Sequence, residues 1–150
     1  MAITTLEEIP GLVGQELAVS EWLEITQERI DRFAEVTGDP QWIHTDRERA
    51  ERESPYGATI APGFLTLSLF PKFFRDSIQI GGLRMAINYG LNRVRFPAPV
   101  RAGSCIRARF VLQSIRDLSD AMEAAYLVTI ESQDSEKPCC VAEWMARYYR

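Results

Sequence analysis

The chain is poor in the residues from which metal and nucleophile sites are most often built. It carries one histidine, His44, and three cysteines, Cys105 and the adjacent Cys139 and Cys140. A single imidazole among scattered carboxylates does not supply the usual ligand set of a transition metal. Three cysteines make no disulfide framework, and neighbouring ones are poorly placed to pair with each other, so a reducing, cytoplasmic setting is expected. An excess of one charge is missing too. Against 21 acidic residues stand 17 basic ones, and the net charge of −4 offers no electrostatic footprint for nucleic acid or acidic lipid. The longest apolar run is broken by Pro71 and Lys72 and falls short of a membrane span. The stretch Met1 to Glu8 has neither the basic start nor the apolar core of a signal peptide. The expectation is a soluble, unexported protein with no nucleic-acid or membrane partner.

What is present is enough chain for one real core. The 150 residues show no repeat and no low-complexity tract, and a single domain spanning 1–150 is expected. A strand is predicted around Gln15 to Leu23, followed by Thr26 as the N-cap of a helix that runs to about Thr37. Ile30, Phe33 and Ala34 share one face of that helix, and Gly38 is its natural stop. A charged helix over Arg47 to Arg52 follows. Pro62 and Gly63 can open a further helix, because a first-turn proline loses no needed hydrogen bond. The run from Phe64 to Phe74 is apolar on nearly every face, which implies burial, and Pro71 should kink it or end its regular part.

Beyond Gly81 and Gly82 the pattern turns to strands. Ile106, Ala108, Phe110 and Leu112 alternate with Arg107, Arg109 and Gln113, Val111 being the exception. Comparable stretches lie at Ala86 to Phe96, Met122 to Ser132 and Cys139 to Tyr149, joined by turn-rich segments at Pro97 to Ser104, Asp117 to Asp120 and Gln133 to Pro138. Helices first and an antiparallel run of strands afterwards indicate an α+β domain, its apolar helix against the concave face of a curved sheet.

Two features carry chemistry. Asp39 and His44 lie in Thr37-Gly38-Asp39-Pro40-Gln41-Trp42-Ile43-His44-Thr45-Asp46. Spacing alone favours a turn aspartate and an ordinary loop histidine. The functional alternative is a carboxylate and an imidazole holding one water between them, where either can accept or return a proton near neutral pH. Gly63 permits close approach of a substrate, and its N–H at the start of a buried helix can meet a carbonyl oxygen that gains negative charge.

The order of residues resembles the MaoC-like, or R-specific enoyl-CoA hydratase (hydratase 2), family. The resemblance rests on Phe33-Ala34, Thr37-Gly38-Asp39, Ile43-His44-Thr45-Asp46, Ala50 and Ile60-Ala61-Pro62-Gly63-Phe64-Leu65, and on the later stretch Tyr89 to Val100. It is similar in particular to the single-domain branch that includes nodulation protein N. The resemblance implies a hot-dog fold with a central helix from Gly63 to about Phe74, assembled as a homodimer. It also implies syn hydration of trans-2-enoyl-CoA to (R)-3-hydroxyacyl-CoA, and the reverse dehydration, with no metal or redox cofactor and with coenzyme A entering as part of the substrate. By position, Asp39 and His44 match the catalytic pair that binds the attacking water, and Gly63 the glycine whose amide holds the thioester oxygen.

The match has departures. Members commonly carry asparagine two positions after the aspartate and histidine before the glycine, where this chain has Gln41 and Pro62. Gln41 keeps an amide with longer reach and is expected to contact substrate from a shifted place. Pro62 leaves the Gly63 amide available. Pro71 stands where some members have a serine that helps close the site. Phe64 and its neighbours Leu65, Leu69, Phe70, Phe73 and Phe74 are expected to be chiefly core, with some, Phe64 among them, lining an acyl tunnel. Cys139 and Cys140 read as strand packing. Arg84, Arg93, Arg95 and Arg101 suit either coenzyme A phosphates or a solvated strand edge. Hot-dog folds also host acyl-CoA thioesterases and non-catalytic acyl-binding subunits, which stand as alternatives.

Overall fold

The computed structural model describes all 150 residues. Its main sheet is antiparallel, in the order β2 (Glu16–Val19), β6 (Cys105–Asp117), β7 (Ala121–Ser132), β8 (Ser135–Tyr149) and β5 (Met85–Arg95), with β3 (Leu23–Glu24) also paired to β6. The long strands are β5, β6, β7 and β8. On β6 the side chains of Ile106, Ala108, Phe110 and Leu112 are all buried, so the alternation predicted there is the inward face. Val111 is only half-buried, on the opposite face with Arg107 and Arg109. Register shifts interrupt the β2–β6, β5–β8, β6–β7 and β7–β8 pairings, and such bulges bend a sheet.

Against this sheet lie α4 (Gly63–Ser68) and α5 (Phe70–Ser77). The Phe74 ring meets Phe110, Tyr126 and Trp144 edge-on, at centroid distances of 5.3, 5.1 and 5.5 Å, and so fastens α5 to β6, β7 and β8 together. Such pairs add about 0.5–1.5 kcal/mol each beyond the burial itself. A helical layer embraced by an antiparallel sheet is the hot-dog arrangement expected.

Several boundaries differ from the sequence reading, each for a physical reason. The central helix is two helices with Leu69 between them, because Pro71 cannot donate to Leu67 and sits instead in the first turn of α5. It also runs three residues further than expected, to Ser77. The strand expected over Gln15 to Leu23 is divided into β2 (Glu16–Val19) and β3 (Leu23–Glu24). At the break, Ser20 N–H donates to the Ala108 carbonyl at 2.8 Å, while Ser20 Oγ accepts from Ala108 N–H at 2.9 Å. The side chain thus does the work of a ladder carbonyl and frees the backbone to turn.

The loop expected at Gln133 to Pro138 shrinks to Gln133 and Asp134, since β8 starts at Ser135. Pro138 is tolerated inside the strand because the β7–β8 register shifts between Ile130 and Ser132, leaving that stretch off the regular ladder. At the N-terminus, β1 (Ala2–Thr5) pairs in parallel with β4 (Ile78–Gly81), which no local pattern announced. No helix is long and apolar enough to cross a membrane.

Candidate functional site

Helix α1 (Gln27–Thr37) delivers Asp39. Thr26 Oγ1 accepts from Arg29 N–H at 3.2 Å and starts the helix. At its end Gly38 adopts φ 71°, a left-handed conformation that suits glycine. The N–H of Gly38 donates to Glu35 at 3.3 Å and that of Asp39 to Ala34 at 3.0 Å. This pairing closes the helix and fixes the Asp39 backbone, leaving its side chain exposed.

The segment that follows is not the open turn expected but a helical turn, α2 (Trp42–Thr45), succeeded by α3 (Arg47–Glu53). Gln41 caps α2 from outside, its carbonyl accepting from His44 N–H at 2.9 Å, and its side chain is exposed with no partner in the chain. His44 is 6% exposed. Its Nδ1 lies 2.6 Å from the Ile60 carbonyl oxygen, which can only accept. Nδ1 therefore carries the proton, and in the neutral ring Nε2 is the free base.

The Ile60 contact also links the two halves of the site. Ile60 N–H donates to the Ile43 carbonyl at 3.0 Å, so the strand-like segment before α4 is pinned to α2 on both sides of its peptide. Three residues on, Gly63 begins α4. The Pro62 carbonyl accepts from Leu65 N–H at 3.0 Å and Thr66 N–H at 3.4 Å, whereas the amides of Gly63 and Phe64 donate to nothing within the chain. Two adjacent free donors are what an oxyanion needs.

Phe96, just past β5, packs on this glycine: a Cβ at position 63 would stand 3.0 Å from the ring atoms of Phe96. Of the apolar set along α4 and α5, Leu65, Leu69, Phe70, Phe73 and Phe74 are buried and Phe64 is not. Its side chain turns outward, 71% exposed, and meets Phe96 edge-on at 6.5 Å. Together with Leu67, Phe70, Tyr89, Leu91 and Trp144 it lines a cavity of about 460 Å³ running beside α4.

Sequence reasoning named Asp39, His44 and Gly63 but missed Gln27, Ile60 and Phe96. Ile60 acts through its carbonyl, which any residue would supply, so no sequence signal marks it. Gln27 lies 17 positions before His44 and donates from Nε2 to the His44 carbonyl at 2.7 Å. The cysteines bear out the packing reading: Cys139 and Cys140 are buried, and burial pushes the Cys140 thiol up to about 12. Arg84, Arg93, Arg95 and Arg101 are all exposed and make no ion pair within the chain.

Residues 8–133 match the family model described as MaoC like domain. Over 145 residues, covering 96% of this chain and 95% of the relative, the sequence is 45% identical to 3-hydroxyacyl-thioester dehydratase Z of Mycobacterium tuberculosis. It is also 45% identical over 143 residues to nodulation protein N of Rhizobium leguminosarum bv. viciae, covering 94% of this chain and 89% of that one. The monoamine oxidase regulatory protein from Archaeoglobus superposes with a TM-score of 0.81 at 25% identity, over 100% of this chain and 98% of that one. The (R)-hydratase from A. caviae, at 21% identity and TM-score 0.71 over 89% of this chain and 94% of its own, shares the fold. With residues 8–133 matching that family model and a near full-length relative at 45% identity, the chain belongs to the MaoC-like family.

Proposed function

We propose that the protein is an R-specific enoyl-CoA hydratase, equally a dehydratase, that adds water syn across trans-2-enoyl-CoA to give (R)-3-hydroxyacyl-CoA. The observation that carries this reading is the commitment of His44 Nδ1–H to the Ile60 carbonyl, which leaves Nε2 as a proton acceptor, with the free amides of Gly63 and Phe64 three and four residues beyond Ile60. The 45% identity to a 3-hydroxyacyl-thioester dehydratase supports the reaction class.

In the hydration direction, a water held between Asp39 and His44 gives a proton to the pair as its oxygen bonds to the β-carbon. The electron pair of the double bond moves into the thioester, forming an enolate whose oxygen is met by the Gly63 amide. A proton returned by the pair to the α-carbon on the same face completes the product. One oxyanion donor is worth about 2.7–4 kcal/mol at such a site. Phe64 and the cavity of about 460 Å³ beside it accommodate the acyl chain, Gln41 offers substrate an exposed amide, and the exposed arginines are available to coenzyme A phosphates. No metal or redox cofactor is required by this chemistry.

The working form is a homodimer in the cytoplasm. β5 is an eleven-residue edge strand paired on one side only, and Met85, Ile87, Tyr89 and Leu91 along it are exposed apolar residues. Such an edge invites pairing with another strand, and an antiparallel mate related by a two-fold axis is self-complementary. Purified protein given crotonyl-CoA and longer trans-2-enoyl-CoAs should consume their ultraviolet absorbance, yield the (R)-alcohol and release no free thiol. Thiol release without hydration would instead establish a thioesterase.

A further inference from the structure

The proposed reaction employs His44 and leaves a buried polar pair beside it unexplained. Gln27 is 6% exposed and Thr59 is 3% exposed, the first on α1 and the second just before Ile60. Both polar atoms of the Gln27 amide are engaged. Nε2 donates one proton to the His44 carbonyl at 2.7 Å and the other to Asp31 Oδ1 at 2.8 Å, and Oε1 accepts the Thr59 hydroxyl. A flipped amide would set Oε1 against both the His44 carbonyl and the Asp31 carboxylate, leaving all three acceptors without a proton, so only one orientation is stable.

These bonds close a circuit on the histidine. Gln27 holds the His44 carbonyl, Thr59 holds Gln27, Thr59 continues into Ile60, and the Ile60 carbonyl takes the His44 Nδ1–H. Main chain and ring of one residue are thus gripped through a single side chain on another helix. We propose that Gln27, oriented by Asp31 and Thr59, is a positioning residue that fixes the tautomer and ring orientation of His44. The consequence for turnover rests on the hydratase reading; the tautomer does not.

Because His44 is the one histidine of the chain, protein labelled with ¹⁵N-histidine gives a single imidazole pattern that needs no assignment. At mildly alkaline pH the wild type should show the Nδ1–H tautomer alone. Gln27→Leu and Thr59→Val, the latter nearly isosteric, should show Nε2–H admixed. Their kcat should fall about 10–100-fold, the range in which a small misplacement of a reacting group acts. KM should stay within about twofold, as for an interaction felt chiefly in the transition state. Thr59→Ser, which keeps the hydroxyl, should restore both spectrum and rate.

An unchanged tautomer in both Gln27→Leu and Thr59→Val overturns the proposal, whatever their activity. So does a Thr59→Ser variant as impaired as Thr59→Val, which would reveal packing and not the hydroxyl as the cause. If the wild type proves inactive on enoyl-CoA while the tautomer responds as expected, the hydratase reading fails and the positioning role stands.

Discussion

The ring of Phe96 rests on Gly63 so closely that a Cβ there would lie 3.0 Å from three of its atoms. Any side chain there would need the Phe96 ring to give way by a few tenths of an ångström, which the glycine avoids. Gly63→Ala should therefore push the ring and helix start apart and lower kcat/KM about 100-fold, in the range seen when an oxyanion donor is lost. Adding Phe96→Leu removes the ring and should recover about tenfold of it. Steady-state kinetics on the two variants checks this, and a double variant no better than Gly63→Ala contradicts it.

Glu123 on β7 is bound by two guanidinium groups, Arg147 Nε at 2.8 Å and Arg116 Nη2 at 2.7 Å. The Arg147 hydrogen bond, aided by Arg116 and opposed by burial, holds this carboxyl below the usual range. A depressed folded value means that the unfolded chain takes up the proton first as pH falls. The stabilisation is complete above the ordinary carboxylate value and is lost as pH drops through the folded one. Glu123→Gln should cost about 1.5–3 kcal/mol near neutrality, the scale of a hydrogen bond to a charged group. Denaturant titrations should show that gap closing in acid; a gap independent of pH would refute the account.

Cys139 and Cys140 are buried, and burial raises both thiols, Cys140 to about 12, whereas Cys105 is half-buried. A disulfide reagent at mildly alkaline pH should modify at most Cys105 in the folded protein and all three thiols after unfolding. Fast native labelling of the Cys139–Cys140 pair would contradict the strand-packing assignment.

The exposed edge of β5 sets a fourth test. Ile87 points out of that strand and is 38% exposed. A two-fold axis at this edge repeats each substitution on both sides of the seam, so Ile87→Asp introduces two carboxylates into an apolar interface and should convert a dimer into monomers by sedimentation equilibrium. A monomeric wild type, or a variant that still dimerises as tightly, removes the β5 interface.

The parts of the fold legible in the sequence were those governed by local pattern. Thr26 and Gly38 bracket α1, and the alternation of Ile106, Ala108, Phe110 and Leu112 marks β6, because caps and strand period act over a few residues. The β1–β4 pairing joins residues more than seventy positions apart and leaves no local trace. Ser20 hid the break between β2 and β3, since its hydroxyl replaces a ladder acceptor that propensity cannot foresee. For the proposed site, the order of residues nominated Asp39, His44 and Gly63. Gln27, Thr59 and Phe96 reach it only through tertiary contact.

The most direct test of the central claim is kcat/KM for crotonyl-CoA hydration by Asp39→Asn and His44→Gln beside the wild type, with circular dichroism to verify folding. General acid and base groups typically contribute about 10²–10⁴ in rate, and each variant should fall by at least about 100-fold with its fold intact. A folded variant that retains more than about a tenth of wild-type activity would show that the group it lacks does not handle the water.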